Sequence, residues 1–211
     1  VDIVLSICIG IALAATCGFR IFIPLLALSI AGMTGFIDLG TGFQWMGTLP
    51  AVIIFGGATV VEVLAYFIPI VDNILDAASV PLSAVAGAFV AAAAITEVSP
   101  GVQWTLAIVA GGGLATATSL VSNAVHAAST LTTGGAANPA VSAVESTGSA
   151  FASIVAIVVP ILAVIAIAIG IALIYRYFIQ PRRKRRGEGG AGGSATGGRQ
   201  GEDAIAPESS E

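Results

Sequence analysis

The sequence predicts an all-α polytopic membrane protein with five or six membrane-embedded helices, and three observations carry that expectation. Of 211 residues, 56% are hydrophobic and only 9% charged, with a mean hydropathy of +0.99. A soluble domain carries about 25% charged residues to stay hydrated, and a disordered chain lacks so much apolar side chain. Apolar segments fall at 3–33, 49–69, 78–97, 102–129 and 151–179, and a crossing needs roughly 20 residues at 1.5 Å each.

The first segment is too long for one straight crossing. Cys17-Gly18-Phe19-Arg20 interrupts it and Pro24 follows, so it is either one kinked, tilted helix or a hairpin of two short embedded helices. It lacks the basic leader of a signal peptide, and residues 3–33 read as retained membrane helix. Residues 34–48 are Gly-rich with Trp45, the composition of an interfacial loop with an aromatic anchor. Segments 49–69 and 78–97 fit single crossings. Pro50, Pro81 and Pro139 are expected near helix starts, where a missing N–H does no harm. Pro160 should kink the last segment. Leu5-Ser6-Ile7, Gly10 and Leu13-Ala14 line up, 101 residues on, with Leu106-Ala107-Ile108, Gly111 and Leu114-Ala115. That is a weak sign of two related halves of the kind seen in transporters.

Charge is unevenly placed. Residues 1–180 hold seven acids and two bases, while 181–211 hold five acids and six bases. The net −4 therefore describes no real surface and gives no support for nucleic-acid binding. Arg182-Arg183-Lys184-Arg185-Arg186 follows an apolar helix directly. Basic residues beside a span are retained on the cytoplasmic side, which predicts a cytoplasmic C-terminus. Residues 187–211, rich in Gly, Ser and acids, read as a disordered tail. The domain division is thus 1–180, transmembrane, and 181–211, juxtamembrane run and tail. Cys8 and Cys17, nine residues apart in one apolar segment, read as small hydrophobes.

The candidate functional residues are the polar groups left among the apolar helices. Glu62, in TVVEVLAYF, lies deep in the crossing at 49–69, where an acid costs roughly 2.5–3.5 kcal/mol unless paired, protonated or wetted. Arg20 is the only base before Arg176 and is the expected partner, as a structural clamp or as part of a polar pathway. Asp72 and Asp76, with Asn73 between them, share a face at i, i+4 if helical. Interfacial solvation or a ligand held between the two carboxylates would each explain them. Ala107, Gly111, Ala115, Ser119 and Asn123 recur every four residues, a flat stripe for close helix packing. Ser122 and Asn123 stand one turn before His126, the single histidine; it reads as a hydrogen-bonded structural residue or as a proton or substrate contact. Glu145 follows the Gly-rich turn TTGGAANPAVSAVE. No metal-ligand spacing, phosphate loop, nucleophile elbow or haem ligation pattern is present, so neither a cofactor nor a metal is expected, and an enzyme is not the favoured reading.

Gly18-Phe19-Arg20 with Pro24-Leu25-Leu26, Glu62, Ile68-Pro69, Val71-Asp72-Asn73, Asp76, His126, and Thr132-Thr133-Gly134-Gly135-Ala136-Ala137-Asn138-Pro139 with Ser142 and Glu145 resemble a family. It is a bacterial integral-membrane family catalogued as a domain of unknown function (four-one-two-six). The resemblance covers roughly residues 3–160 and implies a multi-spanning protein of the bacterial plasma membrane, with no activity attached. In the family pattern a basic residue follows the histidine by a few positions; here Ala127-Ala128-Ser129-Thr130 stands there. The motif adds Asn138 to the candidates and repeats Asn73.

Two functions compete. A small transporter or channel would use a polar pathway lined by Arg20, Glu62, Asp72, Asp76, Asn123, His126 and Glu145. A membrane scaffold or accessory subunit would instead pack on partners through its Ala/Gly faces. The expected partners are the lipid bilayer and a small solute or ion, without nucleic acid, and the Ala/Gly faces leave room for a homo-oligomer.

Overall fold

Between Thr16 and Phe22 the first apolar segment breaks and the chain reverses. In the computed structural model, which describes residues 3–66, 68–174 and 176, helices α1 (Ile3–Thr16) and α2 (Phe22–Met33) flank that break. The side chains at 69, 70, 72, 73, 76, 77, 166 and 174 lie outside this description, as do the basic run at 182–186 and the tail. The reversal is read from contacts at the far ends. Ser6 of α1 donates to the Thr96 carbonyl, while Gly40, shortly after α2, donates its N–H to Ala93. Both arms thus begin and end at the level of residues 93–96, with Arg20 at the tip between them. Of the two readings of segment 3–33, the hairpin is the one observed.

The remaining helices are α3 (Leu49–Ala65), α4 (Pro69–Ala94), α5 (Pro100–Thr133), α6 (Asn138–Val158) and α7 (Pro160–Ile174). All described regular structure is helical, seven helices in place of the expected five or six. The hairpin supplies the sixth helix already allowed for, and the seventh comes from Val159 (φ −136°, ψ 64°), where the last apolar segment breaks outright before Pro160 instead of kinking. Helix α6 opens at Asn138 and runs unbroken to Val158, so Glu145 and the apolar stretch from Phe151 share one helix. Pro50 and Pro139 sit in the first turn of α3 and α6 as expected. Pro81 does not: α4 opens at Pro69 and runs through Pro81, so Asp72, Asn73 and Asp76 lie in its first two turns.

Two of these helices, α5 and α6, are long and apolar enough to cross a membrane. Large apolar side chains cover the outside: Val61 is 67% exposed and Leu64 60%, while Glu62 between them is 9% exposed. That polarity inverts the pattern of a soluble helix and fits lipid as the solvent. The contacts divide the chain into two compact units, Val1–Ala168 and Ile169–Glu211. The first holds α1 to α6 and the start of α7; the second opens with the last turns of α7.

Small residues set how closely the first unit packs. Ala107, Gly111, Ala115 and Ser119 are buried against α4, as the four-residue stripe predicted. A Cβ on Gly111 would lie 2.6 Å from Ala91 Cβ and 2.8 Å from the Gly87 carbonyl oxygen. Over Ala107–Gly112 α5 widens to π-helical winding, a local form often found where a helix is bent to a purpose. The two segments aligned at an offset of 101 residues fold differently: residues 3–33 reverse, whereas α5 runs through 34 residues without reversing. The loop after α2 folds back on the helix ends, with Phe43 packing edge-on to Phe89 (5.1 Å) and Trp45 against Phe55 (6.1 Å). Gln103 Nε2 caps the end of α4 by donating to the Ala92 and Ile95 carbonyls.

Gly111→Ala should destabilise the protein by about 1–3 kcal/mol, since the α4 backbone must move. Gly113→Ala meets nothing within 4 Å and should be neutral or stabilising by about 0.5–1 kcal/mol. Thermal melts in detergent would read both; equal melting temperatures would refute the packing account.

Candidate functional site at the hairpin tip

A helix that ends inside apolar surroundings leaves carbonyl and N–H groups without helical partners. At the end of α1 these are taken up from two sides. Thr118 Oγ1 of α5 donates to the Ala15 carbonyl (2.8 Å), and Ser149 Oγ of α6 donates to the Thr16 carbonyl (3.4 Å). Thr16 Oγ1 meets Ser153 Oγ at 3.2 Å. Gly18 lets α5 come this close, because a Cβ there would collide with Thr118 and the Ala115 carbonyl.

The start of α2 is satisfied by Glu62. Its Oε1 accepts from Ile21 N–H (2.8 Å) and its Oε2 from Phe22 N–H (3.1 Å). A carboxylate across a helix N-terminus accepts orphan donors and meets the positive end of the helix dipole. This corrects the expected Arg20–Glu62 pair. Glu62 binds backbone, and the ion-pair partner of Arg20 is Glu145 of α6, at 3.6 Å from Nη2 to Oε2.

Arg20 is 1% exposed and held on several sides. Nε donates to Ser146 Oγ (2.9 Å), Nη2 donates to the Ser142 carbonyl (3.0 Å), and the guanidinium carbon lies 3.7 Å from the centre of the Tyr66 ring. Stacking a desolvated guanidinium on an aromatic face contributes about 2 kcal/mol. His126 is 2% exposed; its Nε2 lies 3.1 Å from Glu145 Oε2, and its ring meets Tyr66 edge-on at 6.1 Å. Ser122 Oγ donates to Glu145 Oε1. One carboxylate on α6 therefore gathers Arg20 from the hairpin tip and Ser122 and His126 from α5.

Of the predicted candidates, Arg20, His126 and Glu145 converge here, and Glu62 braces the same tip from α3. Asn123 joins a separate cluster on α4 and α5, accepting from Ser79 Oγ (3.1 Å), which in turn meets Ser119 Oγ (3.1 Å). Asn138 lies at the α5–α6 turn, where its Nδ2 donates to Thr130 Oγ1 (3.1 Å); Gly134 and Gly135 make that turn with φ of 63° and 88°. The side chains of Asp72, Asn73 and Asp76 lie outside the described residues. A groove of about 460 Å³ between α2 and α6, lined by residues such as Ile23, Leu26, Ile30, Ala150 and Ile154, is apolar and does not include the polar cluster.

Sequence reasoning missed Tyr66 and three serines of α6, Ser146, Ser149 and Ser153; Ser142 entered only through the family resemblance. Both left a signal: Tyr66 is four residues after Glu62, and Ser142, Ser146, Ser149 and Ser153 recur every three or four positions, one polar stripe on an apolar helix.

A family model described as Domain of unknown function (DUF4126) matches residues 7–180. No curated protein and no solved structure matches the chain.

Glu62→Gln keeps one acceptor oxygen for two N–H donors and should cost about 1–2 kcal/mol; Glu62→Ala should cost more, leaving both donors buried without a partner. Arg20→Lys keeps the charge but loses the fork and the ring contact, and should also lower the melting temperature. Unchanged melting of all three variants would contradict the tip geometry.

Proposed function

From the premise that the chain belongs to this family of unknown function, we propose that it is a multi-pass membrane transport protein for an ion or small polar solute. In this reading the hairpin tip is the centre of the pathway, the protein resides in the bacterial plasma membrane, and its C-terminus is cytoplasmic. The observation that carries the reading is the Arg20–Glu145–His126 cluster, drawn from three elements around a helix reversal. Ionisable groups among lipid-facing helices are costly, and they gather where a pathway or relay needs them. Broken helices at depth are tolerated only where the freed backbone is enclosed by protein or lines a cavity, the arrangement on which transporter sites are built. The scaffold alternative draws on the Ala/Gly faces. Gly87, Gly111 and Ala115 are already spent on the contact between α4 and α5, which favours transport over docking of a partner.

Reconstituted protein should shorten the light-scattering relaxation of proteoliposomes shocked with at least one of KCl, NaCl or potassium acetate, relative to empty vesicles. Arg20→Gln, if still monodisperse, should relax like empty vesicles. A wild type indistinguishable from empty vesicles with every probe would sink the transport reading.

A further inference from the structure

We infer that the ion handled at the hairpin tip is the proton, accepted by Glu145 and delivered through His126; this deepens the transport reading above and rests on it. The surroundings of Glu145 select for it. Its Oε1 accepts from Ser122, and its Oε2 faces His126 Nε2 at 3.1 Å and Arg20 Nη2 at 3.6 Å. A metal cation needs a shell of several oxygen acceptors. This carboxylate is instead ringed by a hydroxyl, an imidazole and a guanidinium, groups that donate. A proton needs no shell and no space, and it alone fits a cluster in which Arg20 is 1% and His126 2% exposed.

The second observation concerns Arg20. Three of its contacts do not involve Glu145: Ser146 Oγ, the Ser142 carbonyl and the Tyr66 ring. The guanidinium therefore stays held when Glu145 is neutral. The step is a single transfer. The protonated imidazole gives its Nε2 proton to Glu145 Oε2, leaving a neutral imidazole, a neutral carboxylic acid and an Arg20 still charged. What changes is the attraction between α6 and the hairpin tip, an ionic tie across 3.6 Å. Proton occupancy is thereby linked to how firmly the tip is seated. Among the described residues the other titratable groups near the cluster are Cys17 at the hairpin tip, Tyr66 just past the end of α3, and Glu62 on α3, engaged with Ile21 and Phe22 N–H. Helix α4 carries Asp72 and Asp76 in its first turns, with side chains outside the described residues.

The test uses the full chain in proteoliposomes with pyranine trapped inside and a potassium diffusion potential set by valinomycin. Wild type should move protons faster than empty vesicles. Glu145→Gln and His126→Gln should each slow this by about tenfold or more, the scale on which a positioned proton-transfer group acts. Thr147→Ala, an exposed change on α6, should match wild type. Wild-type proton rates in Glu145→Gln would overturn the inference. Salt-driven relaxation without proton movement would overturn it while leaving transport standing; loss of both would remove both. Should Glu145→Gln fail to fold, infrared difference spectra of wild type between about pH 8 and pH 5 decide. A buried carboxylic C=O band that is shifted in His126→Gln supports the inference, and its absence overturns it.

Discussion

A helix that reverses direction among apolar neighbours must find partners for the backbone groups it strands, and this requirement organises the fold around residues 17–21. Each such group left bare costs several kcal/mol where water does not reach. The chain meets the requirement from three directions: Thr118 on α5, Ser149 on α6, and Glu62 on α3. The relative placement of these helices is thus tied to one short segment of backbone.

Close packing makes those reaches feasible. A threonine hydroxyl extends only a few ångströms from its own helix, so Thr118 meets the Ala15 carbonyl because Gly18 and Ala115 leave almost nothing between the two backbones. The same logic runs down the α4–α5 contact through Gly87, Ala91 and Gly111. Dispersion between closely approached backbones holds such a seam together. The polar tip and the small-residue seam are therefore one construction.

The buried charges are different in kind. Replacing a buried ion pair by well-packed apolar residues is often neutral or stabilising, so stability alone does not account for Arg20, Glu145 and His126. Glu62, by contrast, answers a structural need at the start of α2. Two acids that look alike in an apolar sequence thus divide into one that closes a helix end and one that sits at a cluster of titratable groups.

Composition and apolar run lengths by themselves determined the all-helical class, the break near Arg20, the packing stripe on α5 and the residues worth suspecting, because so apolar a chain leaves few places for a charge or a glycine run without a reason. They did not determine partnership. Whether Arg20 meets Glu62 or Glu145 depends on how an antiparallel hairpin seats against α3, α5 and α6, with separations of more than 100 residues along the chain that no local pattern encodes. The path of α4 through Pro81 was likewise settled where α4 packs on α1 and α5, whereas the full break at Val159 is the local restriction a proline places on the residue before it. Tyr66 and the α6 serines lay in view as helical spacings, and only the folded arrangement gave them something to face.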